Sequence, residues 1–298
     1  EKIIIKSYKY GLKNIDTAPM YGENNAEKFI GLIKKKNNLK LKKFSKVGLQ
    51  GFKKNKKFYV KKLPLNFRNI ITSVEKSLLD LKVDRLDLLQ LHYFDNKTSL
   101  DETFSAITKL IKSGKIKNYG LCNYYPYQLI KLLKFLNKKN IKKPYSSQIH
   151  YNLIERRAET DLIPILKRND IKIFANRVFS MGILSGQYAQ LNKYPKGSRA
   201  SKSLRISNYI TKQNVKVSQI LNSISKKIKT ETINFSIKWL EINKNINNPI
   251  IGINNVNYLK NFYTKNINLK KKDMLKVEKN LKIFRKSIMS SPKKYLIL

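Results

Sequence analysis

Leu86-Asp87-Leu88-Leu89-Gln90-Leu91-His92 is nearly all apolar up to a terminal imidazole. A run so short and so apolar suits a strand covered on both faces, and such strands belong to parallel sheets flanked by helices. Outward from it, apolar strands alternate with amphipathic helical stretches, the sequence sign of β/α units. Further strands are expected at 12–16, 41–47, 118–123, 146–152, 171–176 and 249–253. A helix is expected at 23–36 with Ala26, Phe29, Ile30 and Ile33 on one face. Another is expected from an Asn66 cap through Leu81, striped by Ile70, Ile71, Val74 and Leu78. Helical patterns also cover 2–10, stopped by Gly11, and 101–112, 127–138, 161–168, 215–227, 231–243, 255–264 and 270–286. Residues 51–65 read as an irregular basic loop, 180–212 as a long connection and 287–298 as a peripheral tail.

Seven strands, each followed by a helix or a long loop, and no linker rich in Pro, Gly or Ser, imply one domain over 1–286. That repeat suggests an α/β fold of the (β/α)8 TIM-barrel kind. A doubly wound sheet is the alternative, but no G-x-G-x-x-G follows any strand.

Asp16, Lys46, His92, Asn123, Gln148, Asn176 and Gly252 fall at strand C-terminal ends, which converge on one mouth in a barrel. Asp16-Thr17-Ala18-Pro19-Met20-Tyr21-Gly22 reads as a strand ending in a carboxylate, then a tight turn presenting a phenol. With the ammonium of Lys46 and the imidazole of His92, this is a proton donor tuned by its neighbours. Lys46 is expected to lower the phenol pKa from about 10, with Asp16 holding the lysine and His92 polarising a substrate oxygen. The constellation points to carbonyl chemistry. His150 reads as a packing residue inside a strand, Trp239 as helix core, and Cys122 as a small buried side chain.

Composition narrows the classes. The 298 residues are 41% hydrophobic and 28% charged, the balance of a folded globular chain. No stretch approaches the roughly 20 apolar residues of a membrane span, and Glu1-Lys2-Ile3-Ile4-Ile5 lacks the features of a signal peptide. One cysteine excludes an internal disulfide framework and a cysteine zinc site, and fits a reducing cytoplasm. The formal net charge of +44 raises the question of nucleic acid, but the lysines are spread along the chain among Asn and Ile. The expectation is therefore compositional bias and no specific nucleic-acid partner, with nonspecific polyanion attraction at low salt.

Taken in order, D-T-A-P-M-Y-G at 16–22, S-K-V-G at 45–48, L-D-L-L-Q-L-H at 86–92, G-L-C-N at 120–123, Q-I-H-Y-N at 148–152, M-G-I-L-S-G-Q-Y at 181–188 and P-I-I-G at 249–252 resemble the aldo-keto reductase superfamily. The resemblance runs from about residue 2 to about residue 262. It implies an (α/β)8 barrel without a Rossmann domain, an NADP cofactor with NAD possible, and reduction of an aldehyde, ketone or sugar carbonyl. It assigns the tetrad to Asp16, Tyr21, Lys46 and His92. It sets Asn123 and Gln148 at the nicotinamide carboxamide, Gly182, Leu184 and Gly186 in the loop passing the pyrophosphate, and Gly252, Asn254 and Asn255 at the adenosine phosphate. Asn176 stands where many members carry an aromatic ring against the nicotinamide, with Arg177 and Phe179 as neighbours able to substitute. Asn254 stands where many NADPH-using members carry a basic residue. The family's first strand, with its G-T pair, has no match here, so the expectation is a barrel lacking that strand and a sequence belonging to a longer enzyme. A nucleotide-binding regulatory member of the same fold is the alternative function.

Overall fold

A strand forms at every stretch expected to hold one, and the strands are short, two to six residues each. The computed structural model describes residues 1–298 apart from 56, 203, 254, 255, 260–268 and 290–298. The chain is built as two compact units. The first comprises Glu1–Ile149, Pro164–Ile173 and Val256; the second comprises His150–Ile163, Phe174–Ile253 and the described residues from 257 onward.

In the first unit, helix α1 (Lys2–Lys9) ends before Gly11, whose φ is +86°. Strands β1 (Asn14–Asp16) and β2 (Lys42–Val47) pair in parallel, with Asp16 opposite Phe44. Between them lies helix α2 (Ala26–Lys36). A hairpin of β3 (Leu49–Lys54) and β4 (Lys57–Lys62) follows β2. Helix α3 (Phe67–Leu81) is capped by Asn66, whose side chain accepts the Asn69 N–H at 2.9 Å. Strand β5 (Leu88–Leu91), helix α4 (Leu100–Lys112), strand β6 (Tyr119–Cys122), helix α5 (Pro126–Lys138) and strand β7 (Ser146–His150) complete the order. The strands run β1-β2-β5-β6-β7, all parallel, with β3 and β4 forming a separate antiparallel ribbon. Helix α6 (Leu162–Arg168) and strand β8 (Lys172–Asn176) each contribute to both units.

In the second unit, the end of β8 pairs in parallel with β9 (Asn248–Pro249), Phe174 opposite Asn248. The last strand is thus shorter than the 249–253 expected. The stretch expected as a plain connection holds a 3₁₀ turn (Ser180–Ser185) and two single-turn helices, α7 (Arg199–Lys202) and α8 (Leu204–Ser207). Helices α9 (Lys212–Lys227) and α10 (Ile233–Ile242) both pack on α11 (Lys271–Met289), and the buried Trp239 of α10 donates Nε1–H to Glu278 of α11 at 3.1 Å. The helical pattern over 255–264 falls largely outside the described residues, with a 3₁₀ turn at Val256–Tyr258, and the tail beyond Met289 lies outside them altogether.

Two expectations are corrected. Residues 51–65 are mostly ribbon, because Phe52, Phe58, Tyr59 and Val60 supply strand formers between the lysines and Asn55 takes the left-handed turn conformation, φ +49°. The inner face of α2 is Glu27, Ile30, Gly31 and Ile33, and Phe29 is 62% exposed. Gly31 is inward because α2 and α3 touch backbone to backbone. A Cβ at 31 would lie 2.3 Å from Asp80 O and 2.8 Å from the Leu81 carbonyl carbon. One turn earlier, the buried Glu27 carboxylate accepts Ser45 Oγ–H at 2.5 Å and Ser77 Oγ–H at 2.9 Å, joining α2, β2 and α3. Burial raises the Glu27 pKa against the lowering pull of both serines.

Gly31→Ala is expected to force α2 off α3 and cost about 2 kcal/mol or more, by the overpacking rule. Thermal unfolding measures it; an unchanged melting temperature would contradict the close approach.

Candidate active site

The two-residue period of strands and the pairing register decide which side chains meet. Asp16 lies opposite Phe44, two residues before Lys46; Lys46 lies opposite Gln90, Gln90 opposite Gly120, and Cys122 opposite Gln148. Asp16, Lys46, Gln90, Cys122 and Gln148 therefore share one face of the first unit's sheet. Ser45 points the other way, to Glu27.

An ion pair forms at the centre of that face. Lys46 Nζ donates to Asp16 Oδ2 at 2.5 Å and to the Thr17 carbonyl at 2.8 Å, and the lysine side chain is fully buried. Asp16 Oδ1 accepts Nε2–H from both Gln90, at 3.0 Å, and Gln148, at 3.1 Å. Cys122 Sγ donates to Gln90 Oε1 at 3.4 Å. Burial opposes the charged ammonium, but Asp16, Tyr21 and Cys122 outweigh it and the Lys46 pKa is raised. Lys46 thus remains a cation.

Tyr21 is delivered by a turn. Thr17 N–H donates to Phe44 O and Tyr21 N–H to Ala18 O, after which Gly22, Glu23 and Asn24 all take positive φ, between +54° and +69°. Such a run is unfavourable for Glu and Asn, so it needs outside support. Asn24 Nδ2 donates to Gly51 O in the ribbon at 3.1 Å, and Glu23 pairs with Lys53 at 3.0 Å. Lys46 Nζ lies 4.9 Å from the Tyr21 ring centroid. The Tyr21 and His92 rings meet edge to face, centroids 6.2 Å apart and planes at 80°. His92 continues β5, its N–H donating to Val47 O at 2.9 Å.

The electrostatics correct one expectation. The Tyr21 pKa is raised, because desolvation outweighs the lowering influence of Lys46. The phenol is therefore held protonated. His92 is pushed down to about 3, first by burial and then by the Lys46 charge, so its imidazole is neutral near pH 7. The arrangement offers a protonated phenol, a neutral imidazole and a fixed cation behind the phenol, a set suited to giving one proton to an oxygen that gains negative charge.

Gln90 is absent from the expected site. Its signal is a fully buried amide inside an otherwise apolar strand, two residues before His92. Gln148, expected at a carboxamide, also spends its Nε2–H on Asp16. Asn123 has φ +60° and donates Nδ2–H to His92 O at 3.1 Å. Its Oδ1 accepts nothing among the described residues, leaving the acceptor that a carboxamide NH₂ requires. On that observation, the residues beside Tyr21 and His92 fit the nicotinamide end of a dinucleotide.

Asn176, Gly182, Leu184, Gly186 and Gly252 belong to the second unit. Asn176 ends β8, and its carbonyl accepts Tyr151 N–H at 3.4 Å. Gly182 (φ +108°) and Gly186 (φ +76°) shape the 3₁₀ turn with Leu184 between them. The N–H groups of all three donate within the turn, to Phe179 O and Ile183 O. Ser218 Oγ–H on Ile183 O, Ser236 Oγ–H on Leu184 O and Asn222 Nδ2–H on Gly186 O hold that turn to α9 and α10. Gly252 is exposed beyond β9, and Asn254 and Asn255 lie outside the described residues. His150, at the end of β7, is pushed down to about 3 by burial and then by Arg177.

Comparison with known proteins places the chain in a family. The chain is 27% identical over 197 residues to an aldo-keto reductase of Pseudocercospora fijiensis, covering 64% of this chain and 62% of that protein. It is 26% identical over 196 residues to an uncharacterized oxidoreductase of Bacillus subtilis, covering 66% of this chain and 58% of that one. The chain thus spans less than two-thirds of the length of these relatives. The solved glycerol dehydrogenase of Gluconobacter oxydans superposes with a TM-score of 0.77 at 22% identity, over 98% of this chain and 86% of that one, a likeness of fold. The sequence model of the Aldo/keto reductase family matches residues 1–282, and with that match the chain belongs to the aldo/keto reductase family.

Proposed function

We propose that this chain reduces a small-molecule carbonyl, an aldehyde, ketone or sugar, at the expense of NADPH or NADH, with Tyr21 as proton donor. One observation carries the reading: the buried Lys46–Asp16 pair lies behind the ring of Tyr21, whose edge meets a neutral His92. When bound, a nicotinamide dinucleotide would supply a hydride to the carbonyl carbon. Asn123 and Gln148 are the residues proposed to hold its carboxamide.

The chain's own residues supply the rest. The substrate oxygen receives hydrogen bonds from the Tyr21 hydroxyl and from His92, which orients the carbonyl and stabilises developing negative charge. The Tyr21 proton then passes to that oxygen, and Lys46 stabilises the phenolate left behind. Lys46 acts as a fixed positive charge, since Asp16 keeps it protonated. General acid catalysis of this kind is worth about 10²–10⁴-fold.

Tyr21→Phe removes the proton and leaves the ring, so turnover is expected to fall by about 10²-fold or more with cofactor affinity nearly unchanged. NADPH and NADH titrations followed by a carbonyl panel measure both quantities. Binding without turnover in the parent protein would favour a regulatory member of the fold instead.

The pH dependence follows from the two shifts. A histidine held down to about 3 stays neutral on acidification well below 6.5, and a tyrosine raised above 10 stays protonated through neutrality. The rate of reduction is therefore expected to be flat from about pH 5 to pH 8, spanning the ordinary imidazole range. An acid limb centred near the ordinary histidine value of about 6.5 would contradict the neutral imidazole.

A further inference from the structure

The β3-β4 ribbon, residues 49–62, holds six lysines and no carboxylate. Its two faces differ. One carries Leu49, Gly51 and Phe58 toward the Tyr21 loop: a Cβ at Gly51 would meet Phe58 Cζ at 2.2 Å and Asn24 Oδ1 at 2.5 Å. By register the other face carries Gln50, Phe52 and Lys54 from β3, and Lys57, Tyr59 and Lys61 from β4. All six are exposed. Phe52 and Tyr59 stack at its centre, centroids 5.7 Å apart and planes at 26°, and keep 37% and 44% of their surface open. Lys61 Nζ sits 5.8 Å from the Phe52 centroid. Among the described residues, no carboxylate pairs with Lys54, Lys57 or Lys61.

Cross-strand aromatic pairs stabilise a ribbon, and lysines protect strand edges from association. Neither role requires two part-exposed rings and three cations without a carboxylate partner on one face. Aromatic faces flanked by backbone-neutralising cations are the two parts of a surface for single-stranded nucleic acid: bases stack on the rings and phosphates meet the ammonium groups. We infer that the exposed face of this ribbon binds single-stranded nucleic acid without sequence preference, through Phe52 and Tyr59 as the stacking platform and Lys54, Lys57 and Lys61 as phosphate contacts. The inference is independent of the carbonyl chemistry, since none of these five side chains belongs to the proposed catalytic set. Charge complementarity selects this occupant over an apolar protein partner, which three unpaired lysines would disfavour.

The net charge of +44 makes simple polyanion attraction the competing explanation, and the test separates the two. Anisotropy of a fluorescein-labelled oligothymidylate of about 12 nucleotides, and of labelled inorganic polyphosphate, is measured on the whole protein at about 150 mM salt. Phe52→Leu with Tyr59→Leu preserves charge and apolar character, and is expected to weaken oligothymidylate binding roughly tenfold or more while leaving polyphosphate unchanged. Phe52→Tyr with Tyr59→Phe keeps both rings and is expected to bind like the parent, which separates ring loss from ribbon distortion; circular dichroism checks the fold of both. Lys54→Gln, Lys57→Gln and Lys61→Gln together are expected to reduce the salt slope by about 2. Equal oligothymidylate affinity in the parent and the double-leucine variant would overturn the inference, as would loss of binding in the ring-preserving variant.

Discussion

The contact between Lys46 and Asp16 organises everything around it. An ammonium in the sheet interior without a partner would cost several kcal/mol, so the lysine is tolerated only where a carboxylate meets it. Asp16 in turn has both oxygens occupied, one by Lys46 and the other by Gln90 and Gln148. Four strands thus contribute to one polar knot, and the knot closes only if β1, β2, β5 and β7 carry the observed order and register. A buried pair of this kind is weak evidence for stability, but it specifies register strongly. A one-residue slip of β2 would turn Lys46 toward Glu27 and Ser45 toward Asp16.

The same pair sets the chemistry of its neighbours in opposite senses. Its cation adds to the burial that keeps the His92 imidazole neutral, and it pulls the Tyr21 phenol toward ionisation while burial holds the phenol protonated. Desolvation therefore matters more here than the lysine, although the lysine is the more conspicuous residue. A donor that stays protonated until an oxygen arrives is better matched to reduction than one already half ionised.

Much of the fold was legible because the two periods of strand and helix differ and the strand-end residues are chemically unusual. Strand β5, Leu88–Leu91 within the expected 86–92, and the helix after Asn66 stand where the pattern puts them. The β3-β4 ribbon was not legible: lysines interrupt its aromatic alternation, and charge masks periodicity when the residues between are few. Phe29 misled for the converse reason, since an apolar side chain can remain on the surface while a glycine and a glutamate face inward. The grouping of Asp16, Lys46 and His92 with Tyr21 was legible from residue types at strand ends and in the turn after β1, whereas the contact of Gln148 with Asp16 and the place of Gln90 were not. An amide's orientation depends on which carboxylate lies opposite, and that is a property of register.

The run of left-handed residues after Tyr21 has a consequence for how this molecule can change. Gly22, Glu23 and Asn24 keep their shape through ties to Gly51 and Lys53, which belong to the β3-β4 ribbon and not to the parallel sheet. The rigidity of the Tyr21 turn is in that sense borrowed. A lineage that remodels the ribbon for a new surface task would retune the phenol's freedom at the same stroke, and selection on either trait would be constrained by the other.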